Sequence, residues 1–254
     1  MLKVMSLNLN YYGTKHGAWP ARRALIRDLI VSSDVDVIAL QAVRSAPVVE
    51  DGLDQAAQLA LALPEYQYVV YQPADSRDGG ITQGSAFLSR IEIAETDYLE
   101  LTLLPGLEDT NQRVVLHARF DLPGGPLHLF NAHVSWVYDQ ARGNLDQIVP
   151  YVDAFSGAGL LVGDLNQTPE VDLLQQFAAA GWTDVWCALQ PGEPGPTFEA
   201  DLPAIRIDYA WANRVLAPDA TAIAVIGQAE ETGTIRLSDH LAFLVEFDLE
   251  TWRG

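Results

Sequence analysis

A single cysteine, Cys187, rules out an internal disulfide, so a packed core must hold the fold and nothing demands an oxidising compartment. Read alone, that cysteine is a small buried hydrophobe. Basic residues are scarce as well, with 15 Lys and Arg against 34 Asp and Glu, a formal charge of −19. Such a surface repels polyanions, which argues against a broad basic face tracking a nucleic acid. A bound metal ion and a few arginines can still make one cleft positive inside a negative protein. Long apolar runs are also missing: no window nears the ~20 uninterrupted apolar residues of a membrane span. Residues 1–7 run straight into polar Asn8 and Asn10, without the longer apolar core and cleavage site of a signal peptide. The expectation is a cytoplasmic chain with no membrane span, and no protein partner can be inferred.

What is present is enough for a sizeable core, since 49% of the 254 residues are hydrophobic. No linker or low-complexity stretch divides the chain, and the Pro/Gly-rich loop at 190–196 reads as internal, so one domain over residues 1–254 is expected. Strand-like alternation at 2–9 leads into a helical pattern at 21–31, then a strand at 35–41 and a helix at 52–63 stopped before Pro64. β-rich runs follow at 66–71, 85–89, 91–99 and 114–121, separated by turns such as Asp78-Gly79-Gly80 and read as antiparallel. Alternation then returns: a strand to Val134, a helix at 140–155, a strand at 160–162, a helix at 169–180, and strands at 207–212, 220–226 and 241–247. Two such rounds of strands and helices predict an α/β fold in which two sheets pack face to face with helices outside. Leu160-Leu161-Val162 and Leu241-Ala242-Phe243-Leu244-Val245 have the unbroken apolar character of inner strands.

Polar groups recur at the ends of these strands: Asn8 and Asn10, Asn131 and His133, Asp164 and Asn166, Asp208, and Asp239 with His240. Loops at one end of stacked sheets converge, so residues far apart in sequence can line one cleft. Carboxylate and amide oxygens are hard ligands for Mg²⁺ or Mn²⁺, and imidazoles and amides can stabilise a phosphorus centre gaining negative charge. Taken singly, each residue has a plainer reading. An aspartate after a strand is usually a turn or cap residue, and Pro169 strengthens that reading for Asp164. A lone histidine is usually a satisfied structural one. Trp19, Trp136, Trp182 and Trp211 read first as core packing. The ordered set is more specific than its members.

That set resembles the endonuclease/exonuclease/phosphatase family, whose fold is DNase I-like. The resemblance runs from Ser6-Leu7-Asn8-Leu9-Asn10 through residues 36–44, 84–90 and Asn131-Ala132-His133. It continues through Gly163-Asp164-Leu165-Asn166, Arg206-Ile207-Asp208-Tyr209 and Ser238-Asp239-His240. It implies a four-layer α/β/β/α sandwich of two packed mixed sheets with outer helices and a metal-bearing cleft at one rim. By the same resemblance, Asp164 orients or deprotonates the attacking water and Asn166 positions water and phosphate. His240 contacts the phosphate, oriented by Asp208, and His133 binds phosphate or assists the leaving oxygen. Asn8 and Asp239 organise a Mg²⁺ or Mn²⁺ site, while Asn10, Arg44, Arg113 and Asn131 support phosphate or cleft. A surface charge or structural ion pair is the plainer reading of the two arginines.

One position breaks the pattern. Where the family has Gln-Glu-Val-Arg, this chain reads Gln41-Ala42-Val43-Arg44, and a methyl group cannot replace a carboxylate ligand. An engineered Glu→Ala change, a naturally inactive module that binds a phosphate ligand or a protein, and a substitute carboxylate elsewhere would each account for it. Retention of Asp164, Asp208 and His240 favours the first. The expected activity is metal-dependent hydrolysis of a phosphoester, chiefly a phosphodiester, impaired at Ala42. The substrate is nucleic acid or a small-molecule or lipid ester, and the acidic balance favours the latter.

Overall fold

A computed structural model describes residues 1–228 and 234–249. Among them, twelve strands form two six-stranded sheets. The first is built from β1 (Leu2–Asn8), β2 (Val37–Ser45), β3 (Tyr68–Arg77), β4 (Ile81–Ser89), β11 (Ala220–Ile226) and β12 (Ala242–Phe247), in the order β11-β12-β1-β2-β4-β3. The second is built from β5 (Glu95–Leu101), β6 (Arg113–Leu122), β7 (Gly125–His133), β8 (Ala158–Asp164), β9 (Thr183–Asp184) and β10 (Asp208–Ala212), in the order β5-β6-β7-β8-β10-β9. Both are mixed: β1 pairs with β2 and β7 with β8 in parallel, and the other pairs are antiparallel. The chain therefore does not fill one sheet per round of elements, because β11 and β12 return to complete the first sheet beside β1.

Alternation along the strands sorts the core into three layers. Val4, Val37, Phe87, Leu129, Leu160, Val162, Phe243 and Val245 meet between the sheets. Met5, Leu7, Ile38 and Leu40 point the other way, against Ile26 and Ile30 of α1 (Trp19–Ser33) and Leu59 of α2 (Gln55–Ala60). On the opposite side Phe130, Leu161 and Tyr209 pack with Leu145 and Ile148 of α3 (Tyr138–Asp153) and Phe177 of α4 (Gln175–Ala179). The four-layer arrangement follows.

Local chemistry shifts several boundaries. α2 starts later than the periodicity predicts because Asp54 caps it, its carboxylate accepting from Ala56 N and Ala57 N. The helix expected at 169–180 shrinks to α4 behind a 3₁₀ turn, because Val171 is extended (φ −77°, ψ 128°). β3 continues through Pro73, which is tolerated because β3 is an edge strand. Two short elements, β9 and α5 (Val185–Leu189), escaped the sequence pattern altogether. Cys187 on α5 is exposed, not buried, with its Sγ donating to Asp184 Oδ2 at 3.3 Å.

Candidate active site

Strand register assembles the site. Asp164 ends β8 and lies opposite His133 of β7 on one side and Asp208 of β10 on the other, so the three form one row across the second sheet. Gly163 makes this row possible: its φ is +137°, and a Cβ there would meet Ala132 O at 2.0 Å. In the first sheet Asn8, at the end of β1, pairs with Gln41, and its Nδ2 crosses to Asp164 Oδ2 at 2.8 Å. His240, two residues before β12, donates from Nδ1 to Asp208 Oδ2 at 2.9 Å.

Asp164 Oδ2 is the focus of this arrangement. Besides Asn8, it receives Asn166 Nδ2 at 3.1 Å, and it faces His133 Nε2 at 3.5 Å and His240 Nε2 at 3.7 Å. Its other oxygen accepts from Asn166 N at 2.8 Å, the turn expected of an aspartate after a strand. Asn10 is tied to the cluster through its N–H, which donates to Asn8 Oδ1 at 2.8 Å. Asp239 stands next to His240 and accepts from Ser238 Oγ at 2.9 Å.

Burial and charge set the protonation states. Burial opposes charge on His240, but the Asp208 and Asp164 carboxylates outweigh it and raise its pKa well above the ordinary imidazole value. Burial pushes the Asp164 carboxyl up, and the Asp208 carboxylate adds to this against the pull of the His240 charge. His133 goes the other way: burial, then the charges of Arg113 and His240, hold it well below its ordinary value and keep it neutral.

Not all the expected residues face this cluster. Asn131 is wholly buried, donating to Leu40 O at 2.9 Å and Ala86 O at 3.0 Å and accepting from Gln41 Nε2 at 2.7 Å. Its side chain pins the two sheets together beneath the site. Arg113 pairs with Asp109 at 2.9 Å, yet lines one depression with His133, Tyr11 and Gln83. Arg44 stacks 4.5 Å from the Tyr11 ring centroid and donates to Gln83 Oε1 at 3.1 Å. Ala42 sits at a bulge in β2, where Gln41 and Ala42 oppose Ser85 alone; it is buried, with a left-handed φ of 50°. Asn10, Tyr11 and Asn166 share that backbone region at the neighbouring strand ends. Such conformations cost non-glycine residues on the order of 1 kcal/mol and gather where the chain is bent to aim side chains.

Sequence patterns missed Arg22. Almost fully buried on α1, it donates to the carbonyls of Leu9, Tyr11 (3.3 Å), Gly13 (2.9 Å) and Leu237 (2.8 Å). It thereby holds the segment after Asn8 against the segment before Asp239. Its signal was an arginine spaced four residues from Ile26, itself four from Ile30, on the buried stripe of a helix.

One donor atom from each of Asp164, Asp208 and His240 lies within 4.8 Å of the others, and Asp208 Oδ1 is buried with no hydrogen-bond partner among the described residues. A buried carboxylate pair with an unspent oxygen fits a hard divalent cation.

A row of His, Asp and Asp across one sheet is thus faced by Asn and His from the other. The endonuclease/exonuclease/phosphatase family model matches residues 5–240, and the chain belongs to that family. A family protein from Leptotrichia buccalis is similar in structure with a TM-score of 0.79 and 18% identity, over 98% of this chain and 100% of that one. A mannosyl-6-phosphatase from Bacteroides thetaiotaomicron aligns with a TM-score of 0.75 and 18% identity over the same shares, 98% and 100%. A 3′ phosphatase from Neisseria, solved with a product DNA hairpin, aligns with a TM-score of 0.68 and 17% identity over 98% and 100%. No curated protein sequence matches the chain.

Proposed function

We propose that this protein is a divalent-metal-dependent phosphoester hydrolase acting on a phosphodiester, with a metal site weakened at Ala42. The observation that carries the reading is the convergence of Asn8, Asn166, His133 and His240 on one buried Asp164 oxygen, with His240 backed by Asp208. A carboxyl whose pKa is raised toward neutrality is suited to take a proton from water, and Asn166 holds that carboxyl in place. His240, kept protonated by Asp208, supplies positive charge to the phosphoryl oxygens. Neutral His133 can donate one hydrogen bond to phosphate or leaving oxygen from the other side of Asp164. Mg²⁺ or Mn²⁺ would be held by Asn8 and Asp239, and would supply Lewis-acid polarisation of the phosphate.

Between substrates, the −19 charge favours a small-molecule or lipid ester over a polynucleotide, whose tracking takes many Lys and Arg. A second reading, a module that binds phosphate ligands without turnover, rests on Ala42. Turnover of a generic phosphodiester, of nucleic acids and of phospholipid head groups in Mg²⁺ and Mn²⁺ tests both. Ala42→Glu is expected to raise turnover on the order of 100-fold, the several kcal/mol that a well-held ion contributes. Absence of turnover on every ester by a folded Ala42→Glu protein, together with metal-independent ligand binding by calorimetry, would establish the second reading instead.

A further inference from the structure

Beside the site just described lies a second group of ligating side chains with no part in that chemistry. His16, in the turn before α1, is only 3% exposed. Its imidazole lies between two carboxylates, with Nε2 3.4 Å from Glu199 Oε1 and Nδ1 3.6 Å from Asp201 Oδ2. Nε2 is buried yet makes no hydrogen bond among the described residues, which is costly for a ring nitrogen with no other use. Burial also lowers the pKa of His16, against the pull of Asp201 and Asp239, and so favours the neutral imidazole that coordinates metals.

We propose that His16, Glu199 and Asp201 form a second, separate site for a transition-metal ion of the Zn²⁺ or Mn²⁺ type. One donor atom from each residue lies within 4.8 Å of the other two. The 3.4 Å between Nε2 and Glu199 Oε1 equals the separation of two donors on a tetrahedral ion with bonds of about 2.1 Å. One imidazole with two carboxylates suits Zn²⁺ or Mn²⁺, whereas Mg²⁺ prefers oxygen alone. One nearby cation competes for the site. Arg236 binds Asp201 through Oδ1 and leaves Oδ2 toward His16, whereas Lys15, whose side chain is 64% exposed, pairs with Glu199 Oε1 itself and has to be displaced by an ion.

The placement gives such an ion a structural consequence. Glu199 and Asp201 belong to a loop whose Ala200 N donates to Asp239 O at 2.7 Å and whose Phe198 ring lies 4.9 Å from that of His240. An ion here would clamp the turn at 14–17 to the loop that backs Asp239 and His240.

Titration of the metal-stripped full chain with Zn²⁺, by calorimetry and by competition with a chromophoric chelator, tests this. Wild type and Asp164→Asn are expected to bind one Zn²⁺ at this site equally well, and His16→Gln and Glu199→Gln to weaken it by at least about 10-fold. Lys15→Met, which removes the competing cation, should tighten it. Ring signals of His16 in ¹⁵N-histidine spectra should shift with Zn²⁺. If His16→Gln fails to fold, Glu199→Gln and Asp201→Asn, both at positions reaching solvent, carry the comparison. Zn²⁺ affinity unchanged in these variants, abolished by Asp164→Asn, or weaker than about 1 mM in wild type would overturn the proposal.

Discussion

Replacing Arg22 by Met removes a buried guanidinium that donates to four backbone carbonyls, those of Leu9, Tyr11, Gly13 and Leu237. The methionine chain fills most of the same space against Trp19, whose ring lies 5.7 Å from the guanidinium, so lost packing is the smaller part. Hydrogen bonds from a charged donor are each worth roughly 1.5–3 kcal/mol, but they share one group and do not add, and burial already opposes the charge on Arg22. Relaxation of the 9–13 loop to admit water would recover part of the loss. The net expectation is about 3–5 kcal/mol, which for a domain of this size lowers Tm on the order of 10 °C. Urea and thermal unfolding measure it, with Arg27→Met as control: Arg27, on the same helix, is exposed and paired with Asp28, and its loss should stay within about 0.5 kcal/mol. Hydrogen exchange should quicken first at residues 9–13 and 237–239, where the freed carbonyls lie. A loss under about 1 kcal/mol with exchange unchanged would refute the reasoning, because Arg22 would then be no clamp.

The buried pair His117 and His128, with Nε2 and Nδ1 2.9 Å apart and both rings against Phe155, gives a second expectation. Burial, then the neighbouring His128 and Arg119 charges, pushes His117 down to about 4, so the folded chain holds its imidazole neutral while the unfolded chain protonates near 6.5. The unfolded state then binds more protons between these values, and stability falls as pH drops from 6.5 to 4, by at most about 3 kcal/mol. His117→Phe should flatten that slope in denaturant titrations, and an unchanged slope would place its origin elsewhere. Asp208→Asn removes the carboxylate that raises His240. Histidine NMR titration should find the His240 pKa moved down from its raised position, and stability should no longer decline as pH rises from about 6.5 toward 10. A His240 titration that does not move would show that Asp164 alone sets its charge.

Strand-end chemistry was legible in the sequence because it interrupts apolar runs. Asn8, His133 and Asp164 each stand where a buried strand stops and Asp208 where one begins, and parallel or antiparallel pairing then aligns three of them in a row. The four-layer fold was legible for the same reason, through alternating apolar positions. What hydropathy could not distinguish was a polar residue aimed at the cleft from one spent on holding the sheets. Asn131 looks like Asn8 in sequence, but its partners are the backbone of the opposite sheet and Gln41. Arg22 and His16 were missed for another reason: each lies outside a strand end, and part of its meaning comes from a partner far along the chain, Leu237 for Arg22 and Glu199 for His16. The membership of β11 and β12 in the first sheet was likewise unreadable, since element order does not say which edge a late strand joins.

That last pairing has a consequence for how the protein comes into being. β1 takes β12 as its neighbour, and His240 rides just ahead of β12. As the chain leaves the ribosome, β1 emerges with one side unpaired and stays so until nearly every other described strand has been made. Until then Asp208 lacks its imidazole, and no partial chain can hold the assembled cluster. Among the described residues the candidate site therefore closes only once β12 has been made, and an open β1 edge is the segment for which a chaperone has most reason to wait.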